Sequence, residues 1–241
     1  MKTVTTQLGG LSCRLVQGGD APASLVVVLC HGYGAPGTDL VPLAHELAAM
    51  DPILAEGVRF VFPEAPISLD SLGLWGGRAW WPIDVGRFER AARTGELAAM
   101  LEEVPPELVT ARRKLMALVE AVAAQTGLPM GRIVLGGFSQ GSMLAVDVTL
   151  RLDEPPAQLV ILSGAPVALA EWVARAPRRR GLPVFQAHGQ GDPLLPFALA
   201  ELLRDALAEA GLDVDFHPFR GGHTVDRAVL GRLAARLAAL K

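Results

Sequence analysis

Apolar residues in this chain come in two patterns, short unbroken blocks and longer stretches of helical spacing. The blocks fall at residues 25–30, 58–62, 132–136, 158–162, 183–187 and 213–217, each the length of a buried strand. Between them the alanine-rich stretches carry the spacing of amphipathic helices. This alternation predicts an α/β fold, a mostly parallel central sheet buried on both faces by helices. The start of the chain reads differently. Thr3–Leu8 and Leu11–Gln17, joined by Gly9-Gly10, predict a hairpin attached at the sheet edge.

One block runs straight into chemistry. Arg132-Ile133-Val134-Leu135-Gly136 ends on Gly137-Phe138-Ser139-Gln140-Gly141, which opens an alanine-containing helical pattern. A G-x-S-x-G on a strand–turn–helix lets the two chain segments close tightly, because its outer glycines lack Cβ atoms, and lifts the serine Oγ clear of the sheet. An ordinary turn serine is the bland alternative, but the flanks are those a nucleophile requires.

A nucleophilic serine needs a base and an acid, in that architecture acid before histidine. His188, His217 and His223 follow the serine. His217 lies in the alternating strand Val214–Phe219, and His188 precedes a turn glycine and reads as a local hydrogen-bonding residue. His223 follows Gly221-Gly222 on a loop ahead of a long helical segment. Asp192 ends the Gly-rich turn after the 183–187 strand, at the carboxyl edge where open α/β sheets put their chemistry. Asp205, Asp213, Asp215 and Asp226 compete, but fall in helix or strand patterns or beside the histidine. The assignment is Ser139 as nucleophile, His223 as base and acid, and Asp192 as the orienting group.

The oxyanion needs donors too. Leu25–Cys30 empties into His31-Gly32-Tyr33-Gly34-Ala35-Pro36-Gly37, a loop able to turn the Tyr33 N–H toward the serine; the Gln140 N–H is the second donor. His31 is expected to brace this loop. Trp80 and Trp81 either anchor their loop or wall a pocket, two uses that aromatic area serves equally. The Tyr33 ring is expected at the border of an acyl channel. Arg78 and the Arg178-Arg179-Arg180 cluster read as solvated, and Trp172 as packing.

Taken together, these blocks resemble the phospholipase/carboxylesterase family of α/β-hydrolases, which includes the acyl-protein thioesterases. His31-Gly32-Tyr33-Gly34 is similar to its H-G-x-G loop, Phe62-Pro63-Glu64-Ala65-Pro66 to its P-x-A-P strand end, and Trp80-Trp81-Pro82-Ile83-Asp84 to its W-[FY]-D segment. Gly137–Gly141 matches the elbow with its glutamine, His188–Pro196 resembles H-G-x-x-D-x-x-V-P, and Gly222-His223 resembles its G-H. The resemblance implies an α/β-hydrolase fold and a serine carboxylesterase acting on short- to medium-chain acyl esters or thioesters. It places Trp80, Trp81 and Leu194 beside the substrate. Two differences stand out: Ala35 replaces the acidic residue common after H-G-x-G, and Pro82 separates the second tryptophan from Asp84.

Length and composition narrow the field. The 241 residues suit one α/β-hydrolase domain, 1–241, with no Pro/Gly/Ser linker and no repeat. Composition shifts once, at 67–104, where Trp75, Trp80 and Trp81 precede a charged segment, read as a lid or insertion over the active site. The net charge of −3 speaks against nucleic acid. No run approaches a membrane span, and Met1–Gln7 lacks the apolar core of a signal peptide. Cys13 and Cys30 lie on different predicted strands without metal-ligand spacing, so reduced thiols and a cytoplasmic setting are expected, with no metal and no cofactor. The expected partner is a small acyl ester or thioester, and nothing in the chain indicates a homo-oligomer. Three other readings remain: an acyl-protein thioesterase or lysophospholipase-type activity, a non-catalytic binding protein of the same fold, and an acyltransferase or peptidase using the same triad.

Overall fold

The computed structural model describes residues 1–84, 86–87, 90 and 97–241. Eight strands of the described residues form one sheet in the order β1-β2-β4-β3-β7-β8-β9-β10. They are β1 (Lys2–Leu8), β2 (Leu11–Gln17), β3 (Leu25–Cys30), β4 (Val58–Pro63), β7 (Ile133–Phe138), β8 (Gln158–Leu162), β9 (Pro183–Gly189) and β10 (Asp213–Phe219). β1 and β2 pair antiparallel through Leu8 opposite Leu11, and β2 adds antiparallel to β4. From β4 to β10 every neighbour is parallel. The expected edge hairpin and parallel sheet are both present.

Burial explains the unbroken blocks. β3 is buried at all six positions because its alternate side chains enter different cores. Val26, Val28 and Cys30 join the helices Leu108–Thr126, Gln140–Thr149, Leu169–Arg175 and Phe197–Glu209 on one face. Leu25, Val27 and Leu29 meet Val41–Met50 and Arg227–Leu240 on the other. A strand packed on both faces has no polar alternation to show.

Two more strands, β5 (Ile67–Ser68) and β6 (Arg78–Ala79), form a small antiparallel ribbon that no apolar run announced. The ribbon docks on the loop after β3: Gly34 N–H donates to Arg78 O, and Arg78 N–H to Ala35 O. Part of the segment 67–104 expected as a lid, namely residues 85, 88–89 and 91–96, lies outside the described residues.

The Arg178–Arg180 cluster needs correcting. Arg179 is buried and donates to Thr149 O and Leu152 O, carbonyls freed at the end of the helix that follows Ser139. Only its neighbours are exposed. A guanidinium fork suits the unpaired carbonyls of a helix end better than water does.

That same helix carries Asp147, whose carboxylate is fully buried. It accepts from Arg112 Nε at 2.5 Å, Arg151 Nη1 at 2.6 Å and Trp172 Nε1 at 2.9 Å, tying three helices together. Removing one member strands the others, at a typical cost of about 3–5 kcal/mol. Asp147→Ala is expected to lower the urea midpoint by that measure, while Asp153→Ala, at an exposed position, leaves it in place. Equal midpoints for the two variants would refute the role.

Candidate active site

Ser139 sits where β7 meets the helix Gln140–Thr149, with φ 53° and ψ −123°. That left-handed conformation costs a non-glycine residue about 1–3 kcal/mol, and such strain collects at functional positions. It is held from both sides. Ser139 N–H donates to Leu162 O of β8 at 2.8 Å, and Ser139 O accepts from Ser142 Oγ at 2.7 Å. The elbow glycines are required by close approach: a Cβ on Gly137 would stand 2.6 Å from Cys30 O, and one on Gly141 only 2.1 Å.

The loops that carry Asp192 and His223 leave the adjacent parallel strands β9 and β10 at their carboxyl ends. Backbone bonds stitch them together, Gln190 N–H to Phe219 O and Gly191 N–H to Gly221 O. Gly189 must lack a side chain, since its Cβ would fall 2.3 Å from Gly222 O. The result brings His223 Nδ1 to 2.7 Å from Asp192 Oδ2. Asp192 Oδ1 accepts the N–H groups of Leu194 and Leu195, both at 2.9 Å, so the carboxylate is fully engaged. With Nδ1–H given to Asp192, the other ring nitrogen is the acceptor. The His223 ring lies 4.8 Å from that of Phe138, the residue before the serine.

Ser139 and His223 line one cavity of about 630 Å³, together with Tyr33, Gln140, Trp81 and Leu194. Its wall is largely apolar, including Ile83, Met100, Met143, Val167 and Leu195. Asp39, Asp84, Glu103 and Arg87 add charge, and Arg87 bridges to Glu103. Among the described residues no group of three His, Cys, Asp or Glu side chains is placed to hold a metal.

The loop after β3 contributes Tyr33. The next two backbone donors are spent elsewhere, Gly34 N–H on Arg78 O and Ala35 N–H on Gly32 O. Gln140 opens its helix, where a backbone N–H has no intrahelical acceptor and the helix dipole favours negative charge. His31 braces the loop: Nε2 accepts Ala65 N–H at 3.0 Å, and Nδ1 faces Gly32 O at 2.8 Å. A ring nitrogen that accepts an N–H is unprotonated, and desolvation, which lowers the His31 pKa, favours that same form.

The two tryptophans divide the readings between them. Trp81 lines the cavity, 3 % exposed. Trp80 does not belong to that wall: it is buried and donates from Nε1 to His31 O at 2.9 Å, an anchor rather than a substrate contact. Sequence reasoning missed what fixes this pair. The buried Gln140 side chain accepts Trp80 N–H at 2.9 Å and donates to Trp81 O at 2.7 Å. The glutamine of the elbow was visible, but its partners lie about sixty residues away and no local signal points to them. Arg78 is only partly solvated. Its guanidinium serves the Ala65 and Pro66 carbonyls, again a structural use. Asp84, displaced by Pro82, accepts Arg87 N–H and sits on the cavity wall. His217 stays on β10, paired with Asp215.

A strained serine elbow, an Asp–His pair on neighbouring strand ends and a shared apolar cavity define a serine hydrolase of the α/β-hydrolase class. The chain belongs to the phospholipase/carboxylesterase family, whose sequence profile matches residues 11–240. It is 32 % identical over 185 residues to acyl-protein thioesterase 1 of Eremothecium gossypii, covering 75 % of this chain and 71 % of that one. Acyl-protein thioesterase 1 of Neurospora crassa is 28 % identical over 206 residues, 82 % and 79 % of the two chains. Among solved structures, esterase PE8 superposes with a TM-score of 0.78 at 30 % identity over 96 % of this chain and 99 % of its own. A carboxylesterase from Mesorhizobium loti shares the fold, with a TM-score of 0.74 at 19 % identity and 98 % of each chain covered. The family makes this protein a hydrolase of carboxylic esters or thioesters.

Proposed function

We propose that Ser139, His223 and Asp192 form the catalytic triad of a carboxylesterase for short- to medium-chain acyl esters or thioesters. The observation that carries this is the 2.7 Å bond from His223 Nδ1 to Asp192 Oδ2, with His223 and the strained Ser139 lining one cavity. Ser139 Oγ attacks the acyl carbonyl while His223 Nε2 takes its proton. The Tyr33 and Gln140 N–H groups hold the oxyanion of the tetrahedral intermediate. Collapse breaks the bond to the leaving alcohol or thiol, which receives the proton from His223. Water, deprotonated by His223, then attacks the acyl-Ser139 carbonyl, and the acid is released with Ser139 restored.

The acyl group lies against Trp81 and Leu194 on the apolar wall of a single domain, 1–241, and of the segment 67–104 the described residues Pro82, Ile83 and Met100 join that wall. Free, buried Cys13 and Cys30 suit a cytoplasmic setting, where thiols stay reduced.

Fluorophosphonate labelling, followed by kinetics on paired oxygen esters and thioesters of increasing chain length, tests the proposal. Labelling of the wild type at Ser139 is expected, with the best kcat/KM at short or medium chains. Trp81→Ala is expected to move that optimum toward longer chains, each further buried methylene adding at most about 0.8 kcal/mol. If instead all chain lengths lose activity alike and the melting temperature drops, Trp81 only anchors its loop.

A further inference from the structure

A second histidine stands behind the acid. His188, at the end of β9, is fully buried, and its Nε2 lies 2.9 Å from Leu195 O. A carbonyl only accepts, so Nε2 carries the proton. Nδ1 is buried with no hydrogen-bond partner among the described residues. The same Nε2 is 3.3 Å from Asp192 Oδ2, the oxygen that meets His223. Leu195 is therefore clamped on both sides, its N–H by Asp192 Oδ1 and its carbonyl by His188.

We propose that His188 is a positioning residue of the triad: as a neutral N–H donor it locks residues 192–195, sets the Asp192 carboxylate against His223, and leaves His223 as the imidazole that takes the proton. This rests on the triad reading above. The orphaned Nδ1 is what keeps the roles apart. Protonating it would put a charged N–H in an apolar setting with no acceptor. The charged groups that face the ring are Asp192 and His223. Burial is the largest influence and lowers the His188 pKa; Leu195 O and Asp192 oppose it, and His223 acts with it. A protonated His188 would form its own ion pair with Asp192 and weaken the hold on the His223 imidazolium that forms in each turnover.

The loss expected on removing His188 follows from that geometry. Its N–H points at Leu195 O rather than along the line to Oδ2, so it acts on Asp192 mainly through the loop. Without it the carboxylate loosens from Nδ1 of His223, and the imidazolium loses part of its support.

The test compares His188→Leu, which keeps apolar volume, with His188→Gln, which restores an uncharged N–H donor. Each is assayed for kcat, KM and the pH profile of kcat/KM, with active sites counted by fluorophosphonate. His188→Leu is expected to lower kcat by about tenfold or more with KM within about twofold. Its acid limb should move down by about half a pH unit, because His223 is held less well. His188→Gln should recover most of kcat and the wild-type limb. An unmoved or raised limb in His188→Leu, or a glutamine variant no better than leucine, overturns the proposal. Nitrogen-15 NMR of the wild type decides it independently of variant folding: His188 should remain Nε2-protonated and neutral across the pH range of activity, and a His188 that gains a second proton within that range refutes it. A wild type that neither labels nor hydrolyses esters sinks the triad reading itself, a different result from an active enzyme indifferent to His188.

Discussion

Ser139→Ala is expected to lower turnover of a short-chain activated ester by on the order of 10⁶ and to abolish fluorophosphonate labelling, with the fold retained. In the proposed mechanism its Oγ forms the covalent bond, and the turn offers no second hydroxyl for that task. Ser142, the nearest candidate, is buried and spends its hydroxyl on Ser139 O at 2.7 Å. Its alanine variant should lose roughly 1 kcal/mol of stability and keep most of its turnover. Ser139→Gly adds a second readout. A residue held at φ 53° is strained, and glycine accepts that conformation freely, so this inactive variant should melt above the wild type. A purified Ser139→Ala enzyme with a tenth of wild-type turnover would refute the nucleophile assignment.

Asp192→Asn is expected to cost about 10⁴ in turnover. The asparagine oxygen can keep the Oδ1 bonds to Leu194 and Leu195 N–H, but its amide then faces His223 Nδ1. Two donors cannot face each other, so the ring takes the tautomer that cannot accept from Ser139. Asp226→Asn is the control. Asp226 caps the last helix by accepting Ala228 N–H at 2.8 Å and Val229 N–H at 3.4 Å, and asparagine caps equally well. The activities of the two variants, measured at equal active-site concentration, decide the matter. Greater damage from Asp226→Asn would overturn the assignment of the acid.

The six apolar blocks became β3, β4, β7, β8, β9 and β10, and the boundaries differ mainly at carboxyl ends. β7, β9 and β10 run to Phe138, Gly189 and Phe219, beyond the last apolar block residue of each. Glycines and polar residues there still pair with neighbours, since parallel pairing depends on the adjacent strand and not on hydropathy. The short ribbon Ile67–Ser68 with Arg78–Ala79 has too few residues to show any period. Trp80 and Trp81 look alike in the sequence, but the chain bends there just after β6 and gives the two side chains different surroundings. One meets His31 O and the other the cavity.

The places of Ser139, Asp192 and His223 at strand ends were legible because each is announced by its own few residues: two glycines around a serine, a strand ending in a Gly-rich turn, a glycine pair before a helix. A glycine-marked tight turn at a strand end shows in a few consecutive residues, and that is the information a single chain segment carries. The tertiary structure decided which polar side chains face inward. Arg179 turns in because a helix end left carbonyls unpaired, Asp147 is buried because Arg112, Arg151 and Trp172 converge on it, and Gln140 spans to the Trp80–Trp81 backbone. His188 takes its place behind Asp192 for the same reason. A buried polar group must find partners, and those partners come from elements distant in sequence, so only the assembled fold determines where each one points.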